Sequence, residues 1–288
     1  MSDNQNSKSV DLFFEACKCR RQIPSEKNKS IDFEANNLIF GKNSICEALK
    51  SGKRNINKII ISKNSVSDAK LNEIINLAKS QKVVFQFIPK EKFHKYSEHT
   101  HQGIVAFVSP VEYTDLDDFL SEKNKAFSGE NSKVMVLDGV QDPHNFGSII
   151  RTCVCAGFDA IIISHRKNSP VNATVEKTSA GAVNHIPVIS VNSLGSAVEK
   201  LKNNDYWIIA TDAKGKDNYF DTDYTGMNLA LVLGGEESGV SKTIINNSDF
   251  TVKIPMFNEF NSLNVSNAAA VIVYEIIRQT IQKPKNKV

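Results

Sequence analysis

Short, continuously apolar segments recur along the second half of the chain, and they constrain the fold more than any other feature. Examples are residues 134–137, 160–163, 207–210 and 229–233, which are separated by stretches long enough for helices. A strand that is apolar on both sides must be covered on both faces, as in a parallel sheet between two layers of helices. The sequence therefore predicts an α/β domain with a mainly parallel sheet, in which ligands bind at the carboxyl ends of the strands.

The remaining elements of this half follow from the same kind of pattern. We expect a further strand at 250–254 and helices at 147–156, around 175–182 and from about Asn264 to near Gln282. Three polar segments follow predicted strands or lead into these helices, and the first two contain glycines. The chemistry of the protein is therefore expected in these three segments.

A smaller α/β unit is predicted ahead of this domain. Its strands are expected at 58–62, 83–85 and 104–108, and its helices at about 41–49 and 71–78. A unit of about 75 residues is small but large enough to fold.

These patterns predict four parts of the chain. We expect a disordered tail at 1–36, a small domain at 37–110, a linker containing a helix at 111–132, and the larger domain at 133–288.

Charge is unevenly distributed between these parts. The chain carries a net charge of +3. Residues 1–36 are neutral overall, residues 37–110 hold 12 basic and 5 acidic residues, and the remainder has a net charge of −4. A basic unit beside an acidic one suggests a module that binds a polyanion. A lysine-rich surface that only interacts with water explains the charge equally well.

Several classes of protein are excluded at this stage. With 41% hydrophobic and 23% charged residues, the composition is that of a globular protein. No apolar stretch approaches the roughly 18 residues of a membrane span, and the N-terminus lacks the pattern of a secretory or transit peptide. The five cysteines include no C-x-x-C pair, and no histidine lies at zinc-finger spacing. We therefore expect reduced thiols, no metal, no membrane association and a cytoplasmic location.

The first polar segment runs from Asp138 to Arg151. Asp142 and Pro143 predict a turn, and Asn145 is expected to cap the helix that follows. Arg151 would then lie within about a turn of the helix start, where a guanidinium and free N–H groups can bind a phosphate or an oxyanion. The alternative, a surface arginine paired with a carboxylate, is slightly favoured by spacing alone.

The second segment, residues 233–240, places Gly234 and Gly235 directly after a strand. Such glycines suggest that the backbone approaches a ligand closely, although a plain turn is an alternative. The lysine of a phosphate-binding P-loop is missing and no G-x-G-x-x-G occurs, which disfavours nucleotide hydrolysis and a nicotinamide site.

The third segment, residues 254–270, leaves a strand at Pro255 and enters a helix through small and polar residues. Ser262 and Asn264 offer a hydroxyl and an amide for positioning a substrate. The alternative is that they are ordinary helix caps.

In this order and at these spacings, the three segments resemble the motifs of the SpoU (TrmH) family of RNA ribose 2′-O-methyltransferases, which belong to the SPOUT class. Asn145 and Arg151 match an N-x(5)-R element, and residues 234–239 match a G-x-E-x-x-G element. Residues 254–256 and 262–266 match an I-P-M…S-L-N-V-S element.

The resemblance extends from about residue 38 to 282. Phe40-Gly41 and residues 101–106 are similar to the N-terminal RNA-binding domain of members that methylate a guanosine in 23S rRNA. Asn258 and Asn267 depart from the family pattern, and neither is a candidate catalytic residue.

The resemblance implies a parallel-sheet catalytic domain whose C-terminal chain forms a trefoil knot, with S-adenosylmethionine as the cofactor. Arg151 would stabilise the reacting oxygen, and the other residues with catalytic roles would orient Arg151, the ribose or the cofactor: Asn145, Glu236, Ser262 and Asn264. Cofactor-binding positions would be Thr211, Gly234, Gly235, Gly239, Ile254, Met256 and Leu263.

The expected partners, also by resemblance, are a loop or single-stranded region of rRNA and a second copy of the chain. Two alternatives stay open. One is a tRNA ribose methyltransferase, and the other is a non-catalytic RNA-binding or ribosome-assembly protein of the same fold.

Overall fold

The structure, a computed structural model, describes residues 37–65, 68–96, 101–125, 131–258 and 262–282. The tail predicted at 1–36 lies outside these residues. The described residues form one compact unit. Its elements are, in chain order, β1 (Leu38–Phe40), α1 (Lys42–Ser51), β2 (Ile56–Ser62), α2 (Ala69–Ser80), β3 (Val84–Ile88), a 3-10 helix (Lys90–Tyr96), β4 (Ile104–Val108), α3 (Leu116–Lys125), β5 (Lys133–Asp138), α4 (Pro143–Cys155), β6 (Ala160–Ser164), α5 (Ala173–Thr178), a 3-10 helix (Ala182–Asn184), β7 (Val188–Val191), α6 (Leu194–Lys202), β8 (Tyr206–Thr211), β9 (Asp217–Asn218), β10 (Asn228–Gly234), α7 (Lys242–Asn247), β11 (Phe250–Lys253) and α8 (Val265–Gln282).

The basic N-terminal part builds a small mixed sheet in the order β1-β4-β2-β3. Strands β2 and β3 run parallel, and β4 runs antiparallel to both β1 and β2. Ile59 and Ile61 of β2 pack with α1 and α2 on one face of this sheet. The predicted small α/β unit is confirmed, with β1 as an additional strand that is too short to show an apolar period.

The acidic part builds a larger sheet in the order β7-β6-β5-β10-β8-β11-β9, and all its strand pairs are parallel. Alternate residues of each strand enter two separate cores. Met135 and Leu137 pack beneath α4 and α8, whereas Val134 and Val136 pack beneath α3 and α6. The sequence prediction is therefore confirmed. These strands are continuously apolar because both faces of the sheet are buried.

Several pieces of this domain differ from the sequence prediction. Strands β7 and β9 and helices α6 and α7 were not predicted. β7, β9 and α7 are only two to six residues long, whereas α6 has a helical spacing of buried apolar residues that the sequence analysis overlooked. The predicted linker contains helix α3, and its Leu116, Phe119 and Leu120 pack into the core on one face of the larger sheet. This segment therefore forms part of the layered structure in addition to connecting the two sheets.

The described residues include three of the five cysteines. Cys46 and Cys153 are buried and Cys155 is exposed, and none of the three forms a disulfide. Burial raises the pKa of the Cys153 thiol, because a thiolate would lose its hydration there.

No helix in the described part of the chain is long and apolar enough to cross a membrane. No group of three or more His, Cys, Asp or Glu side chains within it could hold a metal.

A buried ion pair connects the small sheet to the larger domain. Arg54, between α1 and β2, donates from Nη1 to Oε2 of Glu176 on α5 over 2.9 Å. The two side chains are only 8% and 1% exposed. Asn184 donates to the other carboxylate oxygen of Glu176 over 2.5 Å, and Ser44 of α1 donates to its main-chain oxygen over 3.4 Å. The small sheet is thus bonded to the helix that packs beside α4.

Burial dominates the electrostatics of this pair. It raises the pKa of Glu176 and lowers the pKa of Arg54, because each charge has lost its water. The attraction between the two charges opposes both shifts. A buried pair of this kind contributes little net stability, but removing one partner leaves an uncompensated charge in the interior.

We therefore predict strong coupling between Arg54 and Glu176. The variants Arg54→Met and Glu176→Gln should each lower the free energy of unfolding by about 3–5 kcal/mol. The double variant should lose much less than the sum of the two, because no unpaired charge remains buried. Urea unfolding of all four proteins measures this. Purely additive losses would contradict the prediction.

The exposed ion pair between Lys200 and Asp117 is a suitable control. Its atoms are 2.7 Å apart, but the side chains are 48% and 66% exposed. The variant Lys200→Met should therefore hardly change the unfolding transition.

Candidate active site

Three loops meet at one edge of the larger sheet. They follow β5, β10 and β11, whose carboxyl ends point the same way because the strands are parallel. Each loop contains one of the polar segments identified in the sequence. This is the edge of an open parallel sheet at which ligands bind.

The loop after β5 leads directly into helix α4. Asp142 caps this helix, since its carboxylate accepts from the backbone N–H groups of His144 and Asn145 over 3.0 and 3.3 Å. Pro143 occupies the first turn, where its missing N–H costs nothing. The prediction that Asn145 is the cap was wrong, because the helix begins four residues earlier than expected.

This earlier start also changes the position of Arg151. Arg151 is the ninth residue of α4 and lies about 12 Å along its axis from the first residue. The prediction that Arg151 lies beside the free N–H groups of the helix start was therefore wrong. Its side chain is exposed, and no described residue makes a hydrogen bond or an ion pair with it. The alternative of a carboxylate-paired surface arginine is not found either, so the guanidinium is available to a ligand.

Three polar side chains, one from each motif, form a hydrogen-bonded cluster at this edge. Asn145 donates from Nδ2 to Oε1 of Glu236 over 2.6 Å. Asn264 donates from Nδ2 to the same Oε1 over 3.1 Å and to Oδ1 of Asn145 over 3.0 Å. Asn145 is buried, and Glu236 is exposed. The cluster fixes α4, the loop after β10 and the start of α8 to one another.

Asn264 also caps helix α8. Its Oδ1 accepts from the backbone N–H of Ser266 over 2.9 Å and from the Ser266 hydroxyl over 2.6 Å. The capping role considered in the sequence is thus present, but it uses the amide oxygen and leaves the NH₂ group for the cluster. The same side chain therefore caps α8 and joins the cluster, and its role towards a substrate stays a prediction.

The glycines after β10 allow close contact with protein backbone. A Cβ on Gly234 would lie 1.9 Å from the carbonyl carbon of Gly239, and a Cβ on Gly235 would lie 2.1 Å from the carbonyl oxygen of Gly139. The sequence predicted that a ligand would come close to these glycines. The groups that do so belong to the protein itself, in the folded-back loop after β10 and in the loop after β5. These contacts hold the Glu236 segment in a tight turn.

Asp138, at the end of β5, is a structural member of the site that sequence reasoning did not identify. Its carboxylate is buried and accepts from the backbone N–H of Ser241 over 2.8 Å. Its main-chain oxygen accepts from the N–H of Gly235 over 2.9 Å. A carboxylate directly after a buried strand was the signal in the sequence.

The other candidate residues lie around the cluster without joining it. Ser262 is exposed, and its hydroxyl has no hydrogen-bond partner among the described residues. Thr211, at the end of β8, donates to the carbonyl oxygen of Val232 over 3.1 Å. Ile254 packs against the core, whereas Met256 and Leu263 are 38% and 41% exposed.

Two cavities lie away from this edge. One, of about 560 Å³, is lined by residues of α2, including Ala69, Glu73 and Ser80. The other, of about 250 Å³, lies between the two sheets near Arg54 and Pro187.

Comparison with known proteins agrees with this arrangement. The profile of the SpoU rRNA Methylase family matches residues 132–274, and that of an RNA 2′-O ribose methyltransferase substrate-binding domain matches residues 38–114. A putative TrmH family tRNA/rRNA methyltransferase of Staphylococcus saprophyticus is 40% identical over 84% of this chain and 95% of its own length. A relative from Staphylococcus aureus is 39% identical over 84% of this chain and 96% of its own length.

Solved structures share the fold. The SpoU methyltransferase AviRb from Streptomyces viridochromogenes superposes with a TM-score of 0.72 at 23% identity, covering 86% of this chain and 90% of its own. AviRb has also been solved in complex with the cofactor AdoMet. An AdoMet-bound rRNA methyltransferase from Sinorhizobium meliloti gives a TM-score of 0.71 at 20% identity and covers 87% of this chain and 90% of its own. The two-sheet α/β fold, the converging motif residues and the extent of sequence identity together place this chain in the SpoU (TrmH) methyltransferase family.

Proposed function

We propose that this protein transfers a methyl group from S-adenosylmethionine to the 2′-hydroxyl of a ribose in RNA. The observation that carries the proposal is the cluster of Asn145, Glu236 and Asn264, which brings the three motifs together. The helix that carries Asn145 also carries the exposed Arg151. The proposed substrate is a guanosine in a loop or single-stranded region of 23S rRNA. The substrate-binding domain matched at residues 38–114 supports an RNA substrate.

The residues at the site fit this cofactor. Met256 and Leu263 expose apolar side chains at an otherwise polar edge, as a surface for an adenine ring requires. Thr211, Gly234, Gly235, Gly239 and Ile254 belong to the surrounding loops and would contact the cofactor mainly through their backbone. When bound, S-adenosylmethionine supplies a methyl group attached to a positively charged sulfur.

Arg151 would act on the ribose oxygen. A 2′-hydroxyl is a weak nucleophile until its proton leaves or its developing negative charge is stabilised. A guanidinium keeps its proton near neutral pH, so Arg151 acts as an electrostatic clamp on the oxygen and a neighbouring phosphate. The proton passes to water or to a neighbouring group. Asn145, Glu236, Ser262 and Asn264 would orient Arg151, the ribose and the cofactor.

The uneven distribution of charge along the chain supports different roles for the two sheets. Residues 37–110 have a net charge of +7 and would contact RNA phosphates, while the acidic remainder performs the chemistry. The proposal also includes the trefoil knot and a cytoplasmic homodimer, both by family resemblance. Exposed apolar residues on α8, such as Tyr274 and Ile281, are consistent with a partner surface.

Methyl transfer to RNA tests the proposed activity directly. With labelled S-adenosylmethionine, the purified protein should methylate purified 23S rRNA and leave tRNA unlabelled. Reverse-transcription stops in cells with and without the protein should then map one ribose that depends on it. Labelling of tRNA alone would favour the tRNA alternative, and absence of both labelling and cofactor binding would favour a non-catalytic RNA-binding protein.

We predict that Arg151→Ala abolishes methyl transfer and leaves cofactor binding nearly intact. Removing a group that stabilises developing negative charge lowers kcat by about 10²–10³-fold or more. Single-turnover methyl transfer measures the rate, and calorimetry measures cofactor affinity. Turnover at the wild-type rate would refute the assigned role. Lys200→Ala, which removes an equal charge from α6, provides a control for the rate in a single turnover at saturating RNA.

We also predict that Gly234→Ala weakens cofactor binding by tenfold or more, on the order of 1.4 kcal/mol. The added Cβ meets backbone atoms of Gly239 that cannot move without opening the loop. The control is Gly195→Ala in α6, where the nearest atom is the side-chain oxygen of Ser193 at 3.8 Å. Calorimetric titration with S-adenosylmethionine measures the cofactor affinity of both variants. Equal affinities would contradict the prediction.

A further inference from the structure

A group of basic residues lies at the carboxyl edge of the larger sheet, outside the three motifs. His165, Arg166 and Lys167 follow β6 directly, and all three side chains are exposed. We call residues 165–167 the basic loop. Its position is informative because the part of the chain from residue 111 onward is acidic overall.

The order of the strands places the basic loop opposite the candidate cofactor loops. Strand β5, which leads to Arg151, lies between β6 on one side and β10, β8 and β11 on the other. The candidate cofactor residues all follow β8, β10 or β11. Arg151 is carried by the helix that follows the middle strand, so the basic loop occupies the side that the cofactor loops leave open.

Hydrogen bonds hold the backbone of the basic loop in place. The N–H of His165 donates to the carbonyl oxygen of Val191 over 2.9 Å. Asn168 accepts with Oδ1 from the N–H of Ser164 over 3.0 Å, and Ser169 donates from its N–H to the carbonyl oxygen of Val140 over 3.0 Å. Since Val140 precedes the cap of α4, the basic loop is anchored to the same turn that positions α4.

The charges across this edge differ in sign. Glu236 and Glu237 are exposed after β10, where they would repel phosphates. On the other side, no described residue pairs with Arg166, and Lys167 is 61% exposed with its Nζ 3.4 Å from Oδ1 of Asp138. The phosphate backbone of an RNA strand is therefore repelled from the β10 side and attracted to the β6 side.

We propose that Arg166 and Lys167 bind backbone phosphates of the RNA next to the target ribose, and so guide that ribose to Arg151. This inference rests on the proposed function and adds a phosphate-binding element within the catalytic domain. Side chains presented from an anchored loop hold phosphates at a fixed place, and such contacts set the register of a nucleic acid without reading its sequence.

The double variant Arg166→Ala/Lys167→Ala tests this in the full-length protein. Using 23S rRNA as the probe, the KM for RNA should rise about tenfold, whereas kcat at saturating RNA and the affinity for S-adenosylmethionine should stay unchanged. The slope of log affinity against log salt concentration should fall by about one for each lost phosphate contact. Lys167→Arg should bind like wild type, because the cation is kept.

The matched control is Lys200→Ala/Lys202→Ala. It removes the same charge from α6, near the opposite edge of the sheet, where both lysines pair with aspartates. Equal losses for the two double variants, or an unchanged KM for the basic-loop variant, would overturn the inference. If wild-type protein binds 23S rRNA but methylates no RNA, the proposed function fails. In that case weaker binding and a reduced salt slope for the basic-loop variant alone would still support the phosphate contacts.

Discussion

One carboxylate oxygen, Oε1 of Glu236, accepts hydrogen bonds from two amides that lie 119 residues apart in the chain, those of Asn145 and Asn264. This contact depends on three parallel strands that end at the same edge of the sheet. It also depends on glycines, because Gly234 and Gly235 let the Glu236 turn fold back against backbone on both sides. The hydrogen bonds of one side chain therefore hold the three motifs together at this edge.

A second polar cluster serves a different purpose at the other side of α4. Glu176 is bonded to Arg54 and Asn184, and its helix packs closely on α4, where a Cβ on Gly147 would lie 2.7 Å from Cβ of Thr178. The small basic sheet is thus linked through one helix to the helix that carries Arg151. A substrate held by the small sheet would consequently meet the catalytic edge in a restricted orientation.

The fold was largely predictable from the sequence, and the site only in part. Strands such as β5 and β6 were recognisable because continuous apolar runs are typical of strands buried on both faces. Strand β7 was missed because four residues carry little signal, whereas helix α6 was missed although its buried apolar residues have helical spacing. Residues Asn145, Glu236 and Asn264 were identified as candidates, but the partners of each amide depend on distances that no spacing along the chain reveals.

The sequence by itself determined the class of fold, the separation of basic and acidic parts, and the identity of the motif residues, because apolar periodicity, charge and residue type are local properties. Tertiary structure alone decided that the amides of Asn145 and Asn264 meet on Glu236, and that backbone fills the space beside Gly234. It also decided that the basic loop lies on the side of β5 away from the cofactor loops. These features depend on the order of strands in the sheet and on close packing, which join residues far apart in the chain.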